Sequence, residues 1–357
     1  MTARQVIFVM VMFILGSSII LGVNVDAKQD SWIALLIAVV MSVPLLLIYA
    51  RIIKLCPGEN IFDMAERLFG KVIGKIIIIL MTWYALHLGA MVLRNFYVYI
   101  EVTALSITPH ILIMILLMLT TLYIAKSGAA VLGRWGIIVF PVVLIMVIIT
   151  VLFSIPSIEI KNIFPIMEHS LKSVAGSAFK SFSFPFAETV LLLCIACFFK
   201  KEDSSYKIYM SGLFISGLVL LVVLLRNLTV LGAPMMAASY FPSHLSARVI
   251  ELGDIWARIE GVVTINFIFA DITKIAVCLF AASMGMAKLF AIKNYKNMLM
   301  PASLLIIMLC AILYTNITEM LAFIDIYAIY AIPFQILIPL IIWIVAEKKA
   351  RDNKVSN

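Results

Sequence analysis

The sequence predicts an all-α integral membrane protein with ten transmembrane helices arranged as two inverted repeats of five. Three observations indicate this fold class: the composition, the number of apolar runs and the distribution of positive charge. Of the 357 residues, 64% are hydrophobic and 13% are charged, whereas soluble proteins are about half apolar and about a quarter charged. A soluble fold is excluded because so much apolar side chain would cover its surface.

Each apolar run is long enough to cross a bilayer, which takes about 20 mainly apolar residues. The predicted spans are 5–24, 32–53, 74–100, 110–126, 136–155, 179–199, 207–231, 261–288, 298–316 and 323–346. Continuous apolar runs indicate helices, since a transmembrane β-barrel would show alternation. The first run lacks a small-residue cleavage site, so we expect a retained helix rather than a signal peptide.

The positive charges predict that both termini are cytoplasmic. With the N-terminus inside, 18 of the 27 Lys and Arg residues fall in cytoplasmic segments, six fall outside and three lie within spans. Such a bias follows the positive-inside rule and supports an even number of helices. The net charge of +8 is therefore explained by topology, and no nucleic-acid partner is expected.

The whole chain is expected to form one transmembrane domain followed by a short cytoplasmic tail. The first repeat covers 1–155, the second covers 156–346, and the tail covers 347–357. Two long outer connectors, 156–178 and 232–260, are predicted either to form short surface helices or to serve as plain connectors.

The cytoplasmic segment 57–70 is predicted to form a short interfacial helix. Its apolar residues recur at helical spacing, which is typical of an amphipathic helix lying on the membrane surface. These residues are Ile61, Met64, Ala65 and Leu68. The glycines at 70 and 74 form a G-x-x-x-G motif, which predicts close packing at the start of the third helix.

Neither a metal site nor a catalytic site is predicted. Cys194 and Cys197 form a C-x-x-C pair without a second pair or a nearby His, so we interpret them as small apolar residues on one helix face. The sequence has no H-E-x-x-H, no phosphate-binding G-x-x-x-x-G-K-[ST] and no G-x-S-x-G. We therefore expect a protein that is not an enzyme and binds no cofactor.

Two helix-breaking clusters lie at corresponding places in the two halves. The first is Gly16, Ser17 and Ser18, and the second is Phe182, Ser183, Phe184, Pro185 and Phe186. Five helices per half make the second half enter the bilayer from the opposite side, and matched breaks are expected of such an inverted repeat. Either break alone is better explained by close packing, but their matched positions favour a binding site.

The chemistry of unwound helices predicts the kind of ligand. Unwinding in lipid frees N–H and C=O groups that must find partners. Half-helix N-termini suit a carboxylate, and C-terminal ends suit an ammonium group or a cation. Two facing breaks would therefore hold the zwitterionic end of an amino acid, with Gly16 permitting close approach to the backbone and the phenylalanines of the second break forming an apolar wall.

Five ionisable residues fall within the predicted spans: Arg94, Glu188, Arg226, Asp271 and Lys274. Each is costly if unpaired, so each is expected to face the bundle or water. Asp271 and Lys274 are three residues apart, which predicts a pair on one helix face. Alternatively, Lys274 supplies a fixed cation where sodium-coupled transporters bind an ion, or it couples transport to protons.

Glu188 closely follows the second break and is the predicted gating or proton-linked carboxylate. For Arg94 and Arg226, snorkelling toward the membrane surface is the simpler alternative to a coupling role. His87 lies in the third span, and a hydrogen-bonded core histidine is expected there rather than a proton relay.

Several stretches together resemble one family along nearly the whole length. They are Gly16-Ser17-Ser18-Ile19-Ile20, Val92-Leu93-Arg94-Asn95-Phe96, Thr108-Pro109, Gly133-Arg134 with Pro141, and Ser183-Phe184-Pro185-Phe186-Ala187-Glu188. In these stretches the chain resembles the GerAB-type spore germination permeases, the B-subunits of nutrient germinant receptors. Lys274 lies where that family often has a lysine. Ala187 stands where it commonly has glycine, a departure that affects the depth of the break.

The resemblance implies a LeuT-like fold of the amino acid–polyamine–organocation superfamily, with broken first and sixth helices. It also implies a location in the inner membrane of a spore, among membrane lipid, and assembly with an A-subunit and a lipoprotein C-subunit. The implied ligand is a small nutrient, usually an amino acid.

Three functions remain open from the sequence. The first is a sensor that binds a germinant and signals to partner subunits. The second is a proton-coupled amino acid transporter, and the third is a scaffold or channel subunit that binds no small molecule. Sensor and transporter share a site and differ in flux, whereas a scaffold would tolerate filling of that site.

Overall fold

The computed structural model describes residues 1–22, 25–103, 109–168, 170–249, 259–314 and 316–355, and this part of the chain contains helices and no strand. Nine helices in it are long and apolar enough to cross a membrane. The tenth, helix 1, has an apolar part of only 13 residues, Ala3–Leu15, because a break divides it. The prediction of ten helices is therefore confirmed. Helix 1 is shorter than the others because the break divides it.

The ten helices follow the predicted order, and their bounds differ from the apolar runs mainly at the ends. They are helix 1, Ala3–Leu15 and Ser18–Leu21; helix 2, Ser31–Leu55; helix 3, the membrane part of Ile61–Thr103; helix 4, His110–Ser127; helix 5, Ala129–Ser154; helix 6, Leu171–Ser181 continued by Phe182–Phe186 and Ala187–Phe198; helix 7, Ser205–Ala238; helix 8, Glu260–Leu289; helix 9, Leu299–Ile312; and helix 10, Ile317–Ile332 continued by Pro333–Leu337 and Ile338–Val355.

Helix 1 begins with a capping box, in which Thr2 and Gln5 satisfy each other's backbone amides. Its regular hydrogen bonding ends at Gly16, whose φ and ψ of 11° and −131° are not helical. The hydroxyl of Ser18 donates to the carbonyls of Ile14 and Leu15 at 2.6 and 2.8 Å. These bonds satisfy carbonyl groups that the break would otherwise leave without partners in the membrane.

Helix 6 begins at Leu171, eight residues before its predicted start, because the polar outer part 171–178 is helical as well. Its middle, Phe182–Phe186, forms a wide π turn, in which Phe184 is extended at φ −121° and ψ 112°. Pro185 has no amide hydrogen to continue a helix. The remainder, Ala187–Phe198, has tighter 3₁₀ geometry. The predicted break thus lies near the centre of helix 6.

The predicted interfacial helix covers 61–69 and turns sharply into helix 3 at Gly70, where φ is +75°. A Cβ on Gly74 would lie 2.9 Å from the carbonyl oxygen of Ala65. The two glycines therefore build an elbow between the interfacial helix and helix 3, and the close packing that their spacing predicts lies inside this elbow.

Helix 8 is enclosed by other helices and contacts helices 1, 3, 4, 5, 6 and 9. Helix 1 also packs on helices 5 and 7, while helix 2 packs on helices 6, 7 and 10. Nearly all residues of helix 1 from Val9 onward are buried. This arrangement places the breaks of helices 1 and 6 and the middle of helix 8 together inside the bundle.

Both long connectors contain short helical segments, as one of the two alternatives predicts. The first has 3₁₀ turns at Ile155–Ser157 and Ile160–Ile163. The second follows a kink of helix 7 at Gly232 and contains the helix Pro242–Arg248. Thr108 and the segment 250–258 of the second connector lie outside the described residues.

Candidate functional site at the helix breaks

Lys274 of helix 8 connects the two helix breaks. Its stem lies so close to helix 1 that a Cβ on Gly16 would be 2.5 Å from Lys274 Cδ. Its Nζ donates to Glu188 Oε2 in helix 6 at 2.6 Å. The ammonium group also lies 4.8 Å from the ring centre of Phe184 and 5.4 Å from that of Phe13. The predicted lysine and carboxylate thus form one buried ion pair between the breaks.

The predicted pairing of Asp271 with Lys274 is wrong, because the ion pair of Lys274 is with Glu188. Asp271 instead accepts a hydrogen bond from Ser17 Oγ at 3.2 Å. The reason is the space at Gly16, which lets the lysine stem pass the helix 1 break and reach helix 6. Asp271 therefore contacts the break of helix 1 alone, whereas Lys274 passes that break and reaches helix 6.

A buried hydrogen-bond network extends from Glu188 to helices 3 and 10. Tyr327 donates to Glu188 Oε1 at 2.6 Å, and the hydroxyls of Tyr327 and Tyr84 are 2.9 Å apart. Gln335 Nε2 donates to Tyr84 Oη at 2.9 Å and to the Ser183 carbonyl at 3.0 Å, while Ser183 Oγ donates to Gln335 Oε1 at 2.9 Å. The network ties the helix 6 break to an irregular turn in helix 10.

Four residues of this network are absent from the sequence-based prediction. They are Tyr49, Tyr84, Tyr327 and Gln335. Tyr49 donates to the carbonyls of Gln335 and Ala187 at 2.5 and 3.3 Å, so it satisfies backbone groups at two irregular turns. A usable signal was Pro333, two residues before Gln335, which is one of several prolines inside the apolar spans.

The predicted residues of the two breaks are mostly enclosed. Ser17, Ser18, Ser183 and Phe186 are at most 1% exposed, and Gly16, Phe182 and Pro185 are also buried. Phe184 is the exception, since it is only partly buried and lines a cavity. The breaks themselves are thus filled by protein side chains, and the open space adjoins them.

Arg94 and Arg226 are only 7% and 4% exposed, so the snorkelling alternative is wrong for both. Arg94 lies over the ring of Tyr97 and donates to the carbonyl of Cys310 at 3.4 Å. Arg226 binds the side chain of Asn227 and the carbonyl of Ser243. Neither arginine joins the network at the breaks.

His87 lies among aromatic rings rather than in the hydrogen-bonded setting that we expected. It packs on Trp83, Phe323 and Tyr330, and its Nδ1 is a buried atom without a hydrogen-bond partner among the described residues. Packing against rings therefore holds this histidine in place.

A cavity of about 270 Å³ lies above the breaks, on the side away from both chain termini. Helices 1, 3, 6 and 10 and the end of helix 7 surround it. Phe184 and Tyr327 belong both to its wall and to the surroundings of the buried ion pair. Lys180 and Asp325, which are 2.7 Å apart, flank it as partly exposed charges. A molecule in the cavity would contact the side chains that hold the breaks together.

The sequence profile of the Spore_permease family, spore germination protein, matches residues 1–320. Among curated relatives, spore germination protein KB of Bacillus subtilis (strain 168) is 27% identical over 356 residues, which cover 98% of this chain and 95% of the relative. Spore germination protein GerQB of Bacillus cereus is 24% identical over 325 residues, which cover 87% of this chain and 86% of the relative.

Solved transporters share the fold at low sequence identity. Mhp1, a nucleobase-cation-symport-1 family transporter in a closed conformation with bromovinylhydantoin bound, matches with a TM-score of 0.69 at 13% identity, over 95% of this chain and 77% of that one. MhsT in complex with L-phenylalanine matches with a TM-score of 0.65 at 14% identity, over 96% and 87%. The expected LeuT-like fold is confirmed. The chain belongs to the Spore_permease family of spore germination proteins.

Proposed function

We propose that this protein is the nutrient-sensing subunit of a spore germination receptor. It binds a small amino-acid-like nutrient in the cavity directly above the unwound parts of helices 1 and 6 and transmits the event to an A-subunit and a lipoprotein C-subunit. The family membership and the names of the relatives support a role in germination. The proposed location is the spore inner membrane, with both termini in the cytoplasm.

The observation that carries this proposal is the position of the cavity directly above the paired breaks. Its volume, about 270 Å³, is near the lower limit of small-molecule pockets, about 300 to 1,000 Å³, and so favours a small ligand. Met91 and Phe184 supply apolar wall. Asn95 and Ser177 add polar groups, and the buried hydroxyl of Ser177 has no partner in the described part of the chain.

The contacts around Tyr327 supply a route for the signal. Tyr327 lines the cavity and donates to Glu188, Glu188 accepts from Lys274, and Lys274 packs against Gly16. A ligand that moves Tyr327 or Phe184 would therefore change how helix 1 packs on helix 8. Binding must favour one arrangement over the other for a signal to result.

The test is binding of a labelled amino-acid panel to the purified chain in nanodiscs. Ala328 lines the cavity, while Ala322 on the same helix is exposed. Ala328→Phe should weaken binding by roughly tenfold or more, because the phenyl ring would occupy space that the ligand needs, and Ala322→Phe should bind like the wild type. Wild-type binding by both variants would contradict a ligand site in this cavity, whereas no binding by the wild type itself would favour the scaffold role.

A proton-coupled amino acid transporter is the second candidate, supported by the fold shared with Mhp1 and MhsT. Flux of the bound amino acid into proteoliposomes separates the two. A sensor should bind with little flux, whereas a transporter should accumulate the amino acid under an imposed proton gradient, and Ala328→Phe should abolish that accumulation.

A further inference from the structure

Three charged side chains lie close together in the middle of the bundle. The side chains of Glu188, Asp271 and Lys274 are all 0% exposed. The ion pair of Lys274 with Glu188 matches one positive charge with one negative charge. Asp271 Oδ1 accepts from Ser17 Oγ, and Asp271 Oδ2 is a buried atom without a hydrogen-bond partner among the described residues. One carboxyl group is therefore left without a counter-charge of its own.

Among the described residues, the elements packed on helix 8 bring no second cation into contact with the carboxyl group of Asp271. Its own helix provides Lys274 and Cys278, and helix 6 provides Glu188. Helix 3 carries the buried Arg94, which is held by the ring of Tyr97 and the carbonyl of Cys310, and the helix Pro242–Arg248 carries His244, which is bonded to Tyr99. Helix 1 contributes only the hydroxyl of Ser17. Helix 5 contributes the indole of Trp135, which donates to Thr273. The charged residues of helix 4, His110 and Lys126, are exposed at its two ends, and helix 9 carries no charged residue.

An uncompensated carboxylate is unfavourable in a membrane interior, because it loses its hydration and gains no ion partner. A metal ion is a poor solution here. Hard cations take about six or more oxygen ligands, whereas the hydroxyl of Ser17 is the one hydrogen-bonding oxygen that the described residues place against this carboxyl group. A proton balances the charge without further ligands, and it leaves Ser17 able to donate to the carbonyl oxygen of the acid.

We propose that Asp271 is a proton-binding site that is occupied when helix 1 is packed as in this structure. The carboxylate takes one proton from water and becomes a neutral acid beneath Ser17. When helix 1 moves away and water enters, the proton returns to water and the carboxylate is left hydrated. This places the exchangeable proton on Asp271, and it leaves Glu188, the carboxylate chosen from the sequence, ionised in its pair with Lys274.

Infrared spectroscopy of the full chain in a detergent without ester groups, at neutral pH, tests the proposal without any ligand. A protonated carboxylic acid has a carbonyl stretch that ionised carboxylates lack. This band should be present in the wild type, lost in Asp271→Asn and retained in Asp325→Asn, whose side chain is 67% exposed. A band that persists in Asp271→Asn, or a wild type without the band, would overturn the proposal.

Thermal unfolding of the same samples provides an independent second measurement. Deprotonation of Asp271 creates a buried negative charge, so the melting temperature of the wild type should fall relative to Asp271→Asn as the pH rises. Exchange of sodium for choline at constant pH should leave the melting temperatures of the wild type and of Asp271→Asn unchanged. A wild-type melting temperature that follows sodium rather than pH would place a metal ion at Asp271 instead of a proton.

Discussion

Lys274 contacts helices 1 and 6 at the centre of the molecule through both its apolar stem and its ammonium group. Its apolar stem packs against the bare backbone at Gly16, while its ammonium group reaches Glu188 and the face of Phe184. A long stem with a compact charge suits this position, because it fills a narrow channel between two helices and ends in a point charge. Gly16 is thus required for the lysine as much as for the helix break.

Replacing one member of the ion pair between Lys274 and Glu188 should lower the free energy of unfolding far more than replacing both. Lys274→Met leaves Glu188 as a buried unpaired charge and should lower the free energy of unfolding by about 3–5 kcal/mol. The double variant Lys274→Met with Glu188→Met should recover most of this loss, since two apolar side chains leave no charge behind. Unfolding in mixed micelles measures both.

The matched control for this pair of variants is Lys161→Met. Lys161 forms an exposed pair with Glu159, with side chains 78% and 55% exposed, and its loss should cost less than about 1 kcal/mol. If the double variant were as unstable as Lys274→Met alone, the unpaired charge of Glu188 would not be the cause of the lost stability.

The breaks of helices 1 and 6 both free backbone carbonyl groups, and different side chains donate hydrogen bonds to them in each helix. Helix 1 stops at a glycine, and Ser18 returns its hydroxyl to the carbonyls before the break. Helix 6 bends at Pro185, and its freed carbonyls accept from Gln335 and Tyr49. Helix 1 is therefore satisfied locally, whereas the turn of helix 6 depends on helices 2 and 10. We expect the helix 6 break to be the one that senses movement of its neighbours.

The elbow at Gly70 gives a test of backbone geometry. Nothing lies within 4 Å of a Cβ added there, but its φ of +75° with ψ of −175° is a region that essentially only glycine adopts. Gly70→Ala should therefore destabilise the protein by about 1–3 kcal/mol. Gly176→Ala, in a regular and equally open part of helix 6, should be neutral or stabilising by up to about 1 kcal/mol. If Gly70→Ala and Gly176→Ala changed the melting temperature equally, a side chain at position 70 would not strain the elbow, and the prediction would be wrong.

Contacts of the start of the chain cover the end of helix 6 on the side of the termini. The amine of Met1 donates to the carbonyl of Phe198, and the amide of Ala3 donates to Asp203. Arg51 and Glu347 join helices 2 and 10 on the same side at 2.7 Å, and a second cavity of about 260 Å³ lies there beside the ends of helices 2 and 6. The cavity above the breaks lies on the opposite side, which is the outer side when the termini are cytoplasmic, as predicted.

Thiol labelling tests this arrangement together with the topology. In a background without the native cysteines, Ala328→Cys in the cavity should react with a membrane-impermeant reagent added outside. Ala187→Cys, which is fully buried below the cavity, should not react. A bound nutrient should protect Ala328→Cys. Labelling only from the side of the termini would contradict the predicted orientation.

The backbone breaks of this protein follow from its sequence, whereas the partners of its buried side chains do not. The breaks at Gly16 and Phe184 were predictable because glycine, serine and proline interrupt a helix through their own local chemistry. The partner of Lys274 was not, since spacing along helix 8 favoured Asp271 while the true partner lies 86 residues away in the chain. The prediction of a hydrogen-bonded His87 was wrong for the same reason, because the rings that pack on it come from the distant helix 10.

The sequence by itself determined the membrane class, the ten helices, the two breaks and the family, because hydropathy, helix breakers and motifs are local properties of the chain. Only the tertiary structure decided that Lys274 joins the breaks, that Tyr327 links the cavity to Glu188, and that Asp271 is left without a counter-charge. These features depend on which side chains from distant helices meet in a space without water. Within it each charge must be paired or neutralised, and packing rather than spacing selects the partner.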